Sequence, residues 1–144
     1  MRKINIHQDF HGAFSNALGY LKDNFGQDAM ENYLRRIAKN VYRPLIKELK
    51  RKGLKAMEEH WREIFDLENG KYSLGYKDRQ LILKVKECPA VSHILKTGYK
   101  LSDSFCDSTR IVNETICEEA GYKSSLKLGS KKGTCEQRFW KESK

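Results

Sequence analysis

The chain of 144 residues has no long hydrophobic run. No stretch approaches the roughly 18 consecutive apolar residues that a membrane-spanning helix needs. Residues 1–7 also lack the apolar run of a signal peptide. We therefore expect a cytoplasmic protein that does not enter a membrane. Internal repeats, low-complexity stretches and linkers are missing as well, so residues 1–144 are predicted to form a single domain.

Cysteine is absent from the first 87 residues. The four cysteines all follow that point, at Cys88, Cys106, Cys117 and Cys135. Because cytoplasmic thiols stay reduced, a disulfide framework is disfavoured, and free thiols or metal ligands are favoured. The spacing contains no Cys-x-x-Cys pair, which is the strongest sequence sign of a zinc site. Any sulfur chemistry is therefore expected in the C-terminal part.

Negative charge is scarce, with 19 acidic against 28 basic residues and a net charge of +9. Such a balance attracts nucleic acid, an anionic membrane surface or acidic small molecules. Few aromatic residues are interleaved with the lysines around Lys47 and Lys50 as platforms for base stacking. A solvated helix face is therefore expected there, and binding of nucleic acid is not. An acidic small molecule is the favoured partner.

Apolar residues recur at helical spacing over the first 70 residues. One stripe runs from Phe10 to Leu21, and a second runs from Met30 to Leu49, with Asp28 placed to cap its helix. Pro44 lies inside the second stripe and cannot donate the intrahelical bond, so a kink or a break near Tyr42 is predicted. A third stripe covers residues 54–65. The second and third stripes leave two alternatives open, packing within one chain or across a homodimer.

After Gly70 the period changes from 3.6 to 2, which predicts a hairpin over residues 71–86 that turns at 77–80. A short helix over 90–96, a helix from Ser102 or Ser104 to Gly121, and a second hairpin over 124–140 follow. The fold class predicted is α+β. N-terminal helices pack on a small, mostly antiparallel sheet of two hairpins, with a C-terminal helix between them.

One stripe of the C-terminal helix carries Cys106, Arg110, Asn113 and Cys117. The two thiols lie about 16 Å apart at 1.5 Å per residue, so they cannot share one metal ion. Arg110 suits a substrate carboxylate and Asn113 suits a carbonyl or amide, unless both lie exposed on the helix flank. Cys117 and Cys135 are expected to pack against each other in the core.

Cys106 lies near a helix start, where the helix dipole lowers a thiol pKa, and it is therefore the predicted nucleophile. Cys88 ends a strand before Pro89, and His93 lies on the short helix between the two thiols. A cluster of these side chains could act as a nucleophile with its base, or Cys88 and Cys106 could ligate zinc. The alternative for Cys88 is a small buried hydrophobic residue.

The strand ending Leu83-Lys84-Val85-Lys86-Glu87-Cys88-Pro89, followed by a short helix, Gly98 and Phe105-Cys106, resembles the L-2-amino-thiazoline-4-carboxylic acid hydrolase family. The likeness covers most of the chain and extends to the related 4-vinyl reductase type of small-ligand domain. In that family a cysteine closes a strand and a second begins a Cys-x-x-Asp sequence. These map to Cys88 and Cys106, but Thr109 stands at the Asp position.

Two functions follow from these patterns. The resemblance implies a hydrolase of a C–N bond in a cyclic amidine-like thiazoline carboxylic acid, with Cys106 as nucleophile, His93 as base, and Arg110 and Asn113 holding the substrate. The alternative is a non-catalytic domain of the same fold that binds or senses a small ligand or a metal. Thr109 at the family's Asp position favours the alternative.

Overall fold

The computed structural model describes residues 8–142, and it confirms the predicted α+β class. The stretch on which the signal-peptide prediction depends, residues 1–7, lies outside the described residues. Among the described residues, no helix combines the length and apolar character that crossing a membrane requires. The elements in chain order are α1 (Asp9–Phe25), α2 (Gln27–Val41), α3 (Arg43–Lys52), α4 (Leu54–Leu67), β1 (Lys71–Lys77), β2 (Gln80–Glu87), α5 (Pro89–Thr97), α6 (Phe105–Ala120), β3 (Tyr122–Leu128) and β4 (Cys135–Lys141).

Of the kink or break expected near Tyr42, the structure has the break, because α2 ends at Val41 and α3 begins at Arg43. Tyr42 between them has φ −95° and ψ 15°, outside the helical region. Pro44 lies at the start of α3, where its missing N–H has no intrahelical partner to lose. The predicted cap is wrong: Gly26 holds the capping position of α2, and Asp28 lies within the first turn.

The sheet has the strand order β1-β2-β4-β3, and every pairing between its neighbours is antiparallel. β1 and β2 form one hairpin and β3 and β4 form the other, so α5 and α6 connect the two hairpins. Asp78 and Arg79 make the turn of the first hairpin with φ 51° and 63°. Two successive left-handed residues are typical of the two-residue turn that matches the strand twist.

The helices cover one face of the sheet, which we call the inner face. Leu81 and Phe139 of this face are fully buried against α2, α3, α4 and α6. A second apolar cluster joins α1 and α2 to α5 and α6, and Val112 contacts both clusters. The apolar stripes of α2, α3 and α4 therefore pack within one chain. The second cluster consists of Leu18, Met30, Leu34, Val91, Ile94, Phe105 and Ile111.

Candidate functional site

The junction of β2 and α5 positions Cys88. Pro89 opens α5, and a residue before proline is restricted to extended backbone, so Cys88 adopts φ −72° and ψ 121°. Its N–H donates to the carbonyl oxygen of Gly133 at 2.9 Å. The loop between β3 and β4 is thereby held against the start of α5.

Two further cysteines reach the same place from other elements. Cys106 lies in the first turn of α6, and Cys135 begins β4 on the inner face of the sheet. Together with Cys88 they line a cavity of about 240 Å³, which we call the thiol cavity. Its remaining wall consists of Phe65, Val85, Val91, Leu101, Phe105, Thr109, Leu126, Leu128, Gln137 and the loop residues 129–134.

The thiol cavity differs in its chemistry from the larger depression beside α1. A depression of about 330 Å³ between α1 and the segment before α6 is lined mostly by exposed polar residues. The thiol cavity instead has a mostly apolar wall. An apolar concavity with a few polar groups is the usual form of a small-molecule site.

Cys117 takes no part in this cavity. Its side chain is fully buried in the cluster that contains Leu81, Ile116 and Phe139, whereas Cys135 packs beside Phe65, Leu83 and Val85. The prediction that Cys117 and Cys135 pack against each other is therefore wrong. Burial raises the pKa of Cys117 to about 12.

Burial also raises the pKa of each cavity thiol above its ordinary value. At Cys106 the neighbouring Cys88 and the carboxylate of Asp107 raise the pKa further. The backbone N–H groups of Val91 and Ala90 oppose the effect of burial at Cys88. The lowered pKa expected for Cys106 at its helix start is not found, because desolvation of the thiolate is the largest effect on this group and raises its pKa. The cavity thiols are therefore protonated at neutral pH.

The zinc alternative lacks a ligand set. Within residues 8–142, no group of three or more His, Cys, Asp or Glu side chains is arranged to hold a metal ion. Cys88 and Cys106 therefore have no third ligand of these types placed to share a metal ion with them among residues 8–142. A structural or catalytic zinc site uses three or four protein ligands.

Two of the predicted site residues point to other partners. His93 Nε2 lies 3.1 Å from Asp9 Oδ1, and His93 is not among the residues that line the thiol cavity. Arg110 Nη1 lies 3.2 Å from Glu114 Oε1, and Asp107 and Glu31 lie within 3.9 Å of the same guanidinium. Three carboxylates from its own chain therefore surround the charge that was expected to hold a substrate.

Asn113 contacts the wall of the thiol cavity indirectly, through Gln137. It is buried, and its Nδ2 donates to Gln137 Oε1 at 2.8 Å. Gln137 in turn lines the cavity, and its Nε2 lies 3.5 Å from the sulfur of Cys135. Asn113 thus acts on the cavity through Gln137 and does not line it.

Sequence reasoning missed several lining residues. Cys135 and Gln137 share a strand face with Phe139, so alternation along β4 already placed them on the inner face. That pattern does not tell which part of the inner face the helices leave uncovered. Lys131 and Lys132, on the loop between β3 and β4, are the only charged residues among those that line the cavity.

The fold and the cavity together define a small α+β domain with one apolar, thiol-lined site on the inner face of its sheet. No protein-family model matches the chain, and no match is found among the curated proteins.

Proposed function

We propose that the thiol cavity binds a small, mostly apolar ligand that carries an acid group, and that the chain is a ligand-binding domain. One observation carries this proposal: the wall is apolar, and its only charged lining residues are the two lysines Lys131 and Lys132. A cation pair at the edge of an apolar site favours an anionic group on the ligand. The apolar wall accommodates the rest of the molecule.

The size of the cavity limits the ligand. Drug-sized ligands occupy pockets of about 300–1,000 Å³. The thiol cavity, at about 240 Å³, lies below that range. A short aliphatic or a single-ring carboxylic acid is therefore the proposed ligand class.

Binding is favoured over catalysis by the state of the candidate catalytic groups. A thiol nucleophile reacts as its thiolate, and burial raises the pKa of both Cys88 and Cys106. A general base must lie within hydrogen-bond reach of the group that it deprotonates. His93, the proposed base, is bonded to Asp9 outside the cavity wall.

Binding is tested by calorimetry with butanoate, hexanoate, octanoate and benzoate, each beside its uncharged amide. We expect one or more of the acids to bind and the amides to bind more weakly. Thr109→Phe places a ring into the cavity wall and should abolish binding. The double variant Lys131→Gln/Lys132→Gln should weaken binding of the acids and leave the amides unchanged.

The matched control for the charge change is Lys47→Gln/Lys50→Gln, which removes the same charge from two exposed positions on α3. It should bind the acids as wild type does. Binding that survives Thr109→Phe without loss would contradict the assignment of the site. If no acid of the series stabilises or binds the wild-type chain, the proposed ligand class is wrong.

A thiol-dependent hydrolase is the second proposal, in keeping with the resemblance to the thiazoline carboxylic acid hydrolase family. It is supported by Cys88 and Cys106 lining one cavity. The test is turnover of L-2-amino-thiazoline-4-carboxylic acid by wild type and by Cys106→Ala. The hydrolase proposal expects at least a hundredfold loss in the variant, roughly the effect of removing a positioned catalytic group. Equal rates would remove Cys106 from the chemistry, and binding without turnover would leave the first proposal alone.

A further inference from the structure

The face of the sheet opposite the helices, which we call the outer face, is basic. Strand alternation places on it one residue of every two, and directly paired residues share the face. One row across the four strands is Ser73, Lys84, Glu136 and Lys127, and the next is Gly75, Ile82, Arg138 and Ser125. Among the residues with regular pairing, five cations and one carboxylate lie on this face: Lys77, Lys84, Lys123, Lys127, Arg138 and Glu136.

Most of this positive charge is not neutralised within the chain. Lys77, Lys84 and Lys127 form no ion pair with any described residue, while Arg138 pairs with Glu136 and Lys123 pairs with Glu142. Hydrogen bonding from Arg138, with the charges of Arg138, Lys84 and Lys127, lowers the pKa of Glu136 below its ordinary value. The outer face therefore offers cations to an external anion.

The outer face is also open and carries one aromatic ring. Ser73, Gly75 and Ser125 are exposed, and a side chain added at Gly75 would meet no atom within 4 Å. Trp140 lies on the outer face of β4, a central strand of the sheet, and is paired with Lys123. The exposed Ser125 lies next along β3 on the same face, so a small residue stands beside this half-buried indole. Cations that track a phosphate backbone, with an aromatic ring for bases, are what single-stranded nucleic acids require.

We propose that the outer face binds single-stranded nucleic acid, with Lys84 and Lys127 on the phosphates and Trp140 stacking on a base. The two apolar residues of this face do not favour a lipid surface, because Ile82 is only 9% exposed and Trp140 is half-buried. A duplex is disfavoured because the outer face is the surface of a four-stranded sheet, and it presents no helix or ribbon that could enter a groove. This site is independent of the thiol cavity, which lies on the inner face.

The prediction that nucleic acid is not a partner came from the basic segment of α3, which lacks aromatic residues. The sheet lysines are dispersed in the sequence, at Lys77, Lys84, Lys123 and Lys127, and only strand pairing assembles them. The same reasoning about stacking platforms therefore gives opposite answers for the two surfaces.

The experiment measures fluorescence anisotropy of a labelled oligothymidylate of about 12 nucleotides over a range of salt concentrations. We expect Lys84→Gln/Lys127→Gln to weaken binding roughly tenfold at low salt. Each phosphate contact to a single strand contributes about 0.7 to the slope of log affinity against log salt, so the slope should flatten by about 1.4. Lys47→Gln/Lys50→Gln on α3 removes equal charge and should leave the slope unchanged.

Stacking is tested separately with Trp140→Leu, which keeps an apolar side chain but removes the ring, beside Trp140→Phe. We expect roughly a tenfold loss for Trp140→Leu and a much smaller loss for Trp140→Phe. Circular dichroism of each variant checks that the sheet is folded. A variant that unfolds is replaced by Ser125→Glu, which places a carboxylate on the exposed part of the same face and should also weaken binding.

Four results would overturn the proposal. Equal losses in the sheet and α3 double variants would mean that only net charge matters. Equal affinity for a duplex of the same length, or equal affinity of Trp140→Leu and Trp140→Phe, would remove the stacking role. Binding to vesicles of phosphatidylserine and phosphatidylcholine, with none to the oligonucleotide, would assign the face to a membrane surface.

Discussion

The inner and outer faces of the sheet carry contrasting chemistry, although the same four strands build both. In β2, Leu81, Leu83 and Val85 point inward and are almost fully buried, whereas Lys84 between them is exposed. Side chains alternate across a strand, so a mixed sequence is sorted into two surfaces. The apolar set stabilises the fold, and the basic set is left for a partner.

The two faces also differ in how far their titratable groups are exposed to water. The inner side withdraws all four thiols wholly or partly from water and raises their pKa values, and it lowers the pKa of the half-buried imidazole of His60. The outer face keeps its charged groups in water. A change of a buried apolar residue on the inner face should therefore act mainly on stability, and a change of an exposed cation on the outer face should act on binding of nucleic acid.

The largest expected difference between the faces comes from neighbouring residues of β2. Leu83→Ala removes a side chain that is 0% exposed and should lower the free energy of unfolding by about 3 kcal/mol. Lys84→Ala, one residue along and on the other face, should change it by less than about 0.5 kcal/mol. Urea denaturation measures both. Equal effects would show that the two faces do not divide stability and binding in this way.

The pH dependence of stability sharpens the comparison next. Burial lowers the pKa of His60 from 6.5 to about 4, and its buried Nε2 has no hydrogen-bond partner among the described residues. Between pH 6.5 and 4 the unfolded chain therefore binds a proton that the folded chain does not. Stability should fall as the pH falls through this window, by about 3 kcal/mol in all.

Urea denaturation of wild type and of His60→Phe at several pH values isolates this contribution. The variant keeps a ring beside Tyr42 and Trp61 but has no proton to bind. Its stability should fall less steeply than that of wild type from pH 6.5 to 4. Parallel curves for the two proteins would assign the acid sensitivity to other groups.

The buried polar pair behind the cavity should have the next largest effect. Asn113→Ala leaves the Oε1 of Gln137 buried without its donor, which should cost about 2 kcal/mol of stability. Because Gln137 contacts Cys135, the variant should also change the rate at which a thiol reagent modifies Cys135. Mass spectrometry of partly labelled protein measures that rate. The double variant Asn113→Asp/Gln137→Glu should not restore the stability of wild type, since it replaces the hydrogen-bonded amide pair with two buried carboxylates.

The elements were predictable because each has a local cause. Pro44 separates α2 from α3, and the change of period after Gly70 marks the first strand. The turn at Asp78 and Arg79 and the glycine ends of α5 and α6 follow the same local rules. The predicted fold class was correct because these signals agree with one another.

The site was less predictable because it depends on packing between distant segments. Cys88 and Cys106 were singled out, but Cys135 was assigned to the core since nothing in β4 shows where the helices leave a gap. Helical spacing put Arg110 and Asn113 on one stripe with Cys106. The structure gives Arg110 three carboxylate neighbours and buries Asn113, because a helix packed on both a sheet and other helices has more than one buried face.

The smallest effect predicted concerns two glycines, one beside each face. Gly133 has φ 84° in the loop that closes the thiol cavity, a conformation that costs an alanine about 1 kcal/mol. Its carbonyl oxygen accepts the N–H of Cys88, so Gly133→Ala should also weaken ligand binding in the cavity. Gly75→Ala on the outer face needs no positive φ and meets open space, so it should be neutral or slightly stabilising. Thermal denaturation and calorimetry with hexanoate compare the two variants. If Gly75→Ala lost as much affinity for hexanoate as Gly133→Ala, the separation of the two faces would be contradicted.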